Sequence, residues 1–420
     1  MPGICFYFQV HQPLRLRHYS YFDIDHVHAY GDMEQNRAIL NKVSEKCYLP
    51  ANRMMFDLIE RHEGAFRIAY SLSGILLDQL ETYRPDVLDS FRQLADTGCV
   101  EFLNETYYHS LAFIFSPEEF KKQVMLHKDR IKTLFGQTAD TFRHTEFIYN
   151  NDLAAAAEDM GYKCILTEGA DKILGWRSPD FVYQPQGCRH LKLLLRNYRL
   201  SDDIAFRFSN RQWPEYPLTV DKYAHWIHKA GEEGRIINLF MDYETFGEHQ
   251  WQETGIFEFM KNLPDALLKQ PGFQFQTPRE IAADQSPVAS LDVPQFISWA
   301  DVERNLTAWL GNALQRDASR TLYDLEQSVV SCGDEQLLHI WRCLQTSDHL
   351  YYMCTKWFSD GDVHKYFNPY PSPYDAYINF MNIMDDFSRQ LDKKRSNDPN
   401  HINTTKRSLS NDNKPAGLSI

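Results

Sequence analysis

Short apolar runs alternate with longer amphipathic stretches through the first two thirds of the chain. The short runs fall at residues 4–10, 66–72, 99–103, 141–146, 163–167, 191–196 and 235–242, with a briefer one at 273–275. Their content of β-branched, aromatic and aliphatic residues predicts strands. ICFYFQV (4–10) and RIINLFMD (235–242) are apolar at nearly every position, as strands covered on both faces must be. Helical periodicity marks 52–62, 85–97, 116–135 and 152–160. The third of these opens with Ser116 to cap, Pro117 at the first helical position and Glu119 where a capping box needs it. Alternation sustained this long predicts a parallel sheet, and seven or eight strands favour closure into a barrel.

From residue 301 the pattern changes. Residues 301–357 hold no convincing strand and predict two or three helices, with a further helix at 374–391 after the loop NPYPSPYDAY. Cys332, Cys343 and Cys354 recur every 11 residues, a spacing that suits one buried helical stripe. Residues 392–420 lack aromatics, are rich in Ser and Asn, and carry six basic residues against three Asp, which predicts a disordered tail. The expected division is a barrel over 1–290, a C-terminal α-helical domain over 291–391 completing the cleft, and the tail over 392–420.

Composition narrows the chemistry. The 57 acidic and 44 basic residues give a net charge of −13, the wrong sign for a footprint on nucleic acid or anionic lipid. No apolar stretch reaches the ~20 residues of a membrane helix, and MPGICFYFQV has no basic segment before its apolar run. The eight cysteines form no CxxC pair and read as reduced thiols, so a cytoplasmic protein is expected. With 27 Phe, 23 Tyr and 8 Trp, the chain has the aromatic stock to stack neutral, ring-shaped substrates.

In a parallel barrel the site lies where strands end at their C-terminal side. Four predicted strands end in ionisable residues there: His11 after the first, Glu105 and His109 after the third, His144 and Glu146 at the fourth, Asp242 and Glu244 at 235–242. Glu146 and Asp242 are the sharpest pair. Two carboxylates at one rim can divide labour, one ionised as nucleophile and one protonated as donor. Taken singly, each could equally be a helix cap or a solvent-facing loop acid.

The sequence around these residues resembles glycoside hydrolase family 57, the retaining α-glucan enzymes, in its α-amylase-like branch. Five blocks carry the resemblance: HQP at 11–13, EFLNETYYHSLA at 101–112, FRHTEFIYNN at 142–151, LFMDYETFGEHQW at 239–251 and SWADVERNLTAWLGN at 298–312. TSDHLYYMCTKW at 346–357 also looks like the amylase branch. The resemblance implies an incomplete, TIM-barrel-like (β/α)7 fold followed by a helical domain. It makes Glu146 the nucleophile and Asp242 the general acid/base. It places His11, His109, Tyr107 and Phe246 at the substrate, with Trp299, Asp301 and Trp309 shaping the pocket from the helical side. Block five departs from the expected pattern at Asn305, where an acidic residue is expected.

The function expected on this basis is retaining cleavage of α-1,4-glucosidic bonds in starch- or glycogen-like glucans or maltooligosaccharides, without a cofactor or metal. A 4-α-glucanotransferase or branching-type enzyme would use the same pair. A metal-dependent, deacetylase-like enzyme is a further reading, resting on His26 and His28 with Asp23 and Asp25, or on His225 and His228. A catalytically silent glucan-binding protein is another. Neither a GxGxxG, a GxxxxGK[ST] nor a GxSxG motif is present, which argues against nucleotide chemistry and a serine hydrolase. Trp226 and Trp341 lie in helical patterns and are expected in the core.

Overall fold

The computed structural model describes residues 2–356 and 368–396. Seven parallel strands form its centre: β1 (Gly3–Val10), β2 (Ile68–Leu72), β3 (Val100–Phe102), β4 (Thr141–Arg143), β5 (Cys164–Glu168), β6 (Lys192–Arg196) and β7 (Ile236–Asp242). One sheet runs β3-β2-β1-β7 and the other β4-β5-β6. Two seams join them. At the first, Asn104 N–H donates to Thr141 O (3.0 Å) and Arg143 N–H to Asn104 O (2.9 Å). At the second, Asn197 N–H donates to Asn238 O (2.9 Å), and the Asn238 amide donates to Leu195 O (2.9 Å). The result is the barrel that the alternation predicts.

The expected eighth strand is reduced to Gln274–Phe275, paired with β1 only at Gly3 and Ile4. The predicted strand at 141–146 stops at Arg143, because the chain turns there into a 3₁₀ segment, Thr145–Phe147. Helices the periodicity did not single out also cover the barrel, among them Met33–Val43, Gly74–Tyr83 and Ile256–Leu268, beside Val220–Glu233, which carries Trp226 in its helical pattern. Ser116 accepts a hydrogen bond from Glu119 N–H and starts Pro117–Phe135 as its sequence predicts.

Strand alternation sorts the core into two layers. On β1, Ile4, Phe6, Phe8 and Val10 face the surrounding helices, whereas Cys5 and Tyr7 pack inside the barrel with Ala69, Leu166, Leu194 and Phe240. The same parity carries Gln9, Ser71, Glu168, Arg196 and Asp242, each two residues further along its strand, to the upper end of the interior. The barrel is therefore apolar for most of its depth and polar at one end.

Among the described residues of 301–356, five short helices replace the two or three expected: Thr307–Leu310, Ala313–Asp324, Glu326–Cys332, Glu335–Cys343 and Ser347–Tyr351. Cys332 and Cys343 close two different helices and Cys354 follows a third, so their spacing is not one stripe. Trp341 is fully buried and donates its indole N–H to Leu322 O. Trp226 is only partly buried, packed against Trp213 and Tyr223. The last helix, Pro373–Ser396, takes residues 392–396 out of the expected tail, and 397–420 lie outside the described residues. These helices share a core with Leu16, Tyr19 and Tyr30 from the segment after β1, and with Leu111 and Ile148 after β3 and β4. They are thereby anchored over the polar end of the barrel.

Candidate active site

A cavity of about 1120 Å³ opens at that end, between the strand termini and the helical region. Glu146 and Asp242 both line it. Asp242 continues the inward row of β7 beyond Phe240, opposite Gln9 of β1. Glu146 sits in the turn after β4 with a left-handed backbone (φ 58°), as does Phe147 (φ 51°). Non-glycine residues enter that region at a cost, and the turn is held by Trp299 N–H on Glu146 O (3.2 Å).

Both oxygens of Glu146 are bonded. His109 Nε2–H donates to Oε1 (3.1 Å) and Trp299 Nε1–H to Oε2 (2.6 Å). The other ring nitrogen of His109 donates to Glu105 Oε2 (2.8 Å), and Glu105 also accepts from Gln9 (3.1 Å) and Ser71 (2.5 Å). Burial alone would lower the pKa of His109, but the two carboxylates outweigh it and lift the value to about 9. Burial would likewise raise Glu146, yet His109, Arg143 and Trp299 together hold it below the ordinary carboxylate range. Asp242 goes the other way. Burial first, and the negative charge of Glu146 second, push it up to about 7. Its neighbour Glu244, buried and beside Asp242, rises to about 8 while accepting the Tyr48 hydroxyl. Glu146 is thus held ionised while Asp242 keeps its proton up to near neutrality, each set by its surroundings.

His11 lines the cavity, bonded to Ser73 Oγ (2.7 Å) through Nδ1 and to Asp348 Oδ2 (3.0 Å) through Nε2. Trp299, Asp301 and Trp309 line it from the helical side, with Asp301 paired to Lys356 (3.3 Å) and Trp309 beside Tyr351. Asn305, where block five departs from pattern, accepts from Thr307 N–H (2.9 Å) in the turn before the helix Thr307–Leu310 and does not line the cavity.

Two expected contacts are corrected. Phe246 is fully buried in the outer core against Phe8 and Tyr243, because its side chain points away from the rim. Tyr107 also misses the cavity lining. Its ring lies across Gly74, where a Cβ would meet it at 2.4 Å, and its hydroxyl donates to Asp78 (2.6 Å).

Glu105, marked in the sequence as a strand-end acid, stands behind His109, and residues not foreseen complete the site: Arg143, Glu168, Arg196 and Asp348. Arg143 is fully buried, 4.0 Å from Glu105, with its guanidinium over the rings of Phe147 (4.7 Å) and Trp299 (5.3 Å). Inward parity would have found Glu168 and Arg196, since each lies two residues beyond an inward apolar residue of its strand. Three of the residues weighed as metal ligands are engaged elsewhere: His28 with Asp386 (2.9 Å), Asp25 with Arg389 and Lys393, His228 with Leu267 O (3.0 Å).

An ionised carboxylate beside a protonated one, at the open end of a parallel barrel, is what cleavage between sugars requires, and the class it defines is the glycoside hydrolases. The chain belongs to glycosyl hydrolase family 57, whose sequence profile matches residues 5–294. It is 44% identical over 397 residues to a protein of Methanocaldococcus jannaschii named "Putative alpha-amylase", covering 91% of this chain and 84% of that one. The fold is shared with a family 57-type branching enzyme of Pyrococcus horikoshii (TM-score 0.66, 15% identity, 87% of each chain). It is also shared with 4-alpha-glucanotransferase of Thermococcus litoralis (TM-score 0.65, 15% identity, 83% of this chain and 56% of that one). The family resemblance and the barrel architecture read from sequence are both borne out.

Proposed function

We propose that the protein hydrolyses α-1,4-glucosidic bonds in starch- or glycogen-like glucans or maltooligosaccharides, with retention at the anomeric carbon. The observation that supports this most directly is the divergence of the two cavity carboxyls, Glu146 held ionised and Asp242 lifted to about 7. In the first step Glu146 attacks the anomeric carbon, the bond to the glycosidic oxygen breaks, and that oxygen takes the proton of Asp242. In the second, Asp242 takes a proton from water as its oxygen attacks the same carbon, and Glu146 leaves as carboxylate. His109 and Trp299 keep Glu146 oriented and ionised, while neutral His11, held by Ser73 and Asp348, forms part of the cavity wall. The α-glucan assignment draws on the relative named for alpha-amylase.

The test is incubation with maltoheptaose, following product anomers by NMR and reducing ends against chain-length distribution. The expected result is initial α-anomer with reducing ends rising in step. Initial β-anomer would overturn retention. Flat reducing ends with longer chains appearing would replace hydrolysis by transfer. Turnover retained in Glu146→Gln would remove the nucleophile assignment.

A further inference from the structure

Glu168 ends the inward row of β5 with no exposure, below the helical-side wall of the cavity. Its carboxylate meets two guanidinium groups, Arg196 Nη1 at 3.1 Å and Arg304 Nη1 at 2.7 Å. Arg196, on the adjacent strand β6, is fixed independently by Phe240 O (2.7 Å) and Asp202 (2.5 Å). Arg304 arrives from the loop after Trp299. It has a left-handed backbone (φ 47°) and lies 4.1 Å over the ring of Tyr198. One buried carboxylate therefore ties that loop to the barrel.

The same loop presents Trp299 to the nucleophile. Ser298 N–H donates to Arg304 O (3.3 Å) and Ser298 Oγ to Asn305 O (2.7 Å), so the loop closes on its own base. Trp299 then bonds Glu146 through both its backbone N–H and its indole N–H. The Arg196 guanidinium lies 5.7 Å from the indole ring. Both arginines that Glu168 holds thus bear on Trp299, one against its ring and one at the far end of its loop.

We infer that Glu168 is a positioning residue for the nucleophile: by anchoring Arg196 and Arg304 it fixes the Trp299 indole N–H against Glu146. The inference rests on the reading of Glu146 as nucleophile. A carboxylate buried between guanidinium groups contributes little net stability, because desolvation offsets attraction, but the fork geometry of arginine sets orientation sharply. Without the carboxylate, Arg304 loses its anion and faces Arg196, which keeps only Asp202, and a loop carrying left-handed Asp301 and Arg304 has a strain to release.

The experiment is a double-mutant cycle on maltoheptaose hydrolysis in the full chain, with Glu168→Gln, Trp299→Phe and the pair, rates normalised to active enzyme. Glu168→Gln should lower kcat roughly 10-fold with KM little changed, since misplacement of a reacting group by a fraction of an ångström has effects of this order. In the Trp299→Phe background, which already lacks the indole donor, it should have almost no further effect. Independent, multiplying losses would overturn the inference, as would a Glu168→Gln that lowers the denaturation midpoint and leaves kcat unchanged. If Glu168→Gln does not fold, Arg304→Lys, which keeps the charge and loses the fork, enters the same cycle with the same two outcomes. Activity retained in Glu146→Gln would instead strike the proposed function, so the two failures are separable.

Discussion

The imidazole rings of His11 and His109 stack with centroids 3.9 Å apart and planes within 19°, and they carry different charges. His109 is a cation between Glu105 and Glu146. Burial and the adjacent His109 charge lower His11, which stays neutral. Two stacked cations would repel, so the pair carries a single positive charge, on the ring that faces Glu146. Asp348, a carboxylate that only accepts, fixes the His11 proton on Nε2, leaving Nδ1 to accept from Ser73. Asp348→Asn removes this constraint from a residue in the helical region, far in sequence from the ring it orients. Because a hydrogen bond to a charged group contributes about 1.5–3 kcal/mol, kcat/KM on maltoheptaose should fall roughly 10- to 100-fold. An unchanged value would mean that the orientation of His11 is irrelevant to turnover.

The pH profile follows from the same charges. On the proposed mechanism Glu146 must be ionised and Asp242 protonated, so kcat/KM should fall as pH rises through about 7, where Asp242 loses its proton. On the acid side it should persist below the ordinary carboxylate range, because Glu146 is held down. The His109 cation lowers both groups. His109→Gln should therefore move both limbs of the profile to higher pH while reducing its height. Movement of neither limb would show that His109 does not set the charge states of the pair.

Much of this site could be read before the fold was known, and the boundary has a physical origin. Glu146 and Asp242 stand where apolar strands stop, a pattern visible in one dimension. Glu168 and Arg196 obey the same rule through two-residue alternation, yet TE and LR after apolar runs look like ordinary strand ends. Asp348 lies in the block TSDHLYYMCTKW, but nothing local ties it to His11, since only tertiary packing brings its short helix there. The shape of the 145–147 turn was hidden for a similar reason: its left-handed residues are stabilised by contacts with Trp299, more than a hundred positions away. Phe246 and Tyr107 were misplaced because proximity to a strand end fixes where a residue is, not which side its ring takes.

That correction is testable by separating stability from binding. Phe246→Ala removes a fully buried ring from the outer core and should destabilise the protein by about 3–5 kcal/mol, read from the denaturant midpoint. The KM of the folded fraction for maltoheptaose should stay near that of the parent. A large rise in KM without loss of stability would return Phe246 to the substrate.

Asp242 gives the last expectation, in which catalysis and stability oppose each other. Its pKa is about 7 in the folded protein against an ordinary 3.8, so between those values the folded state binds more protons than the unfolded chain. Stability from this group therefore declines as pH rises across that window and levels off above it. Asn at this position cannot ionise and avoids the decline. Asp242→Asn should be inactive yet more resistant to guanidinium than the parent at pH 8, with the advantage shrinking towards pH 4. Guanidinium midpoints at several pH values, in matched buffers, measure this directly. A constant difference between the two proteins across the range would mean that Asp242 is ionised throughout in the folded enzyme, and its role as proton donor would fall with it.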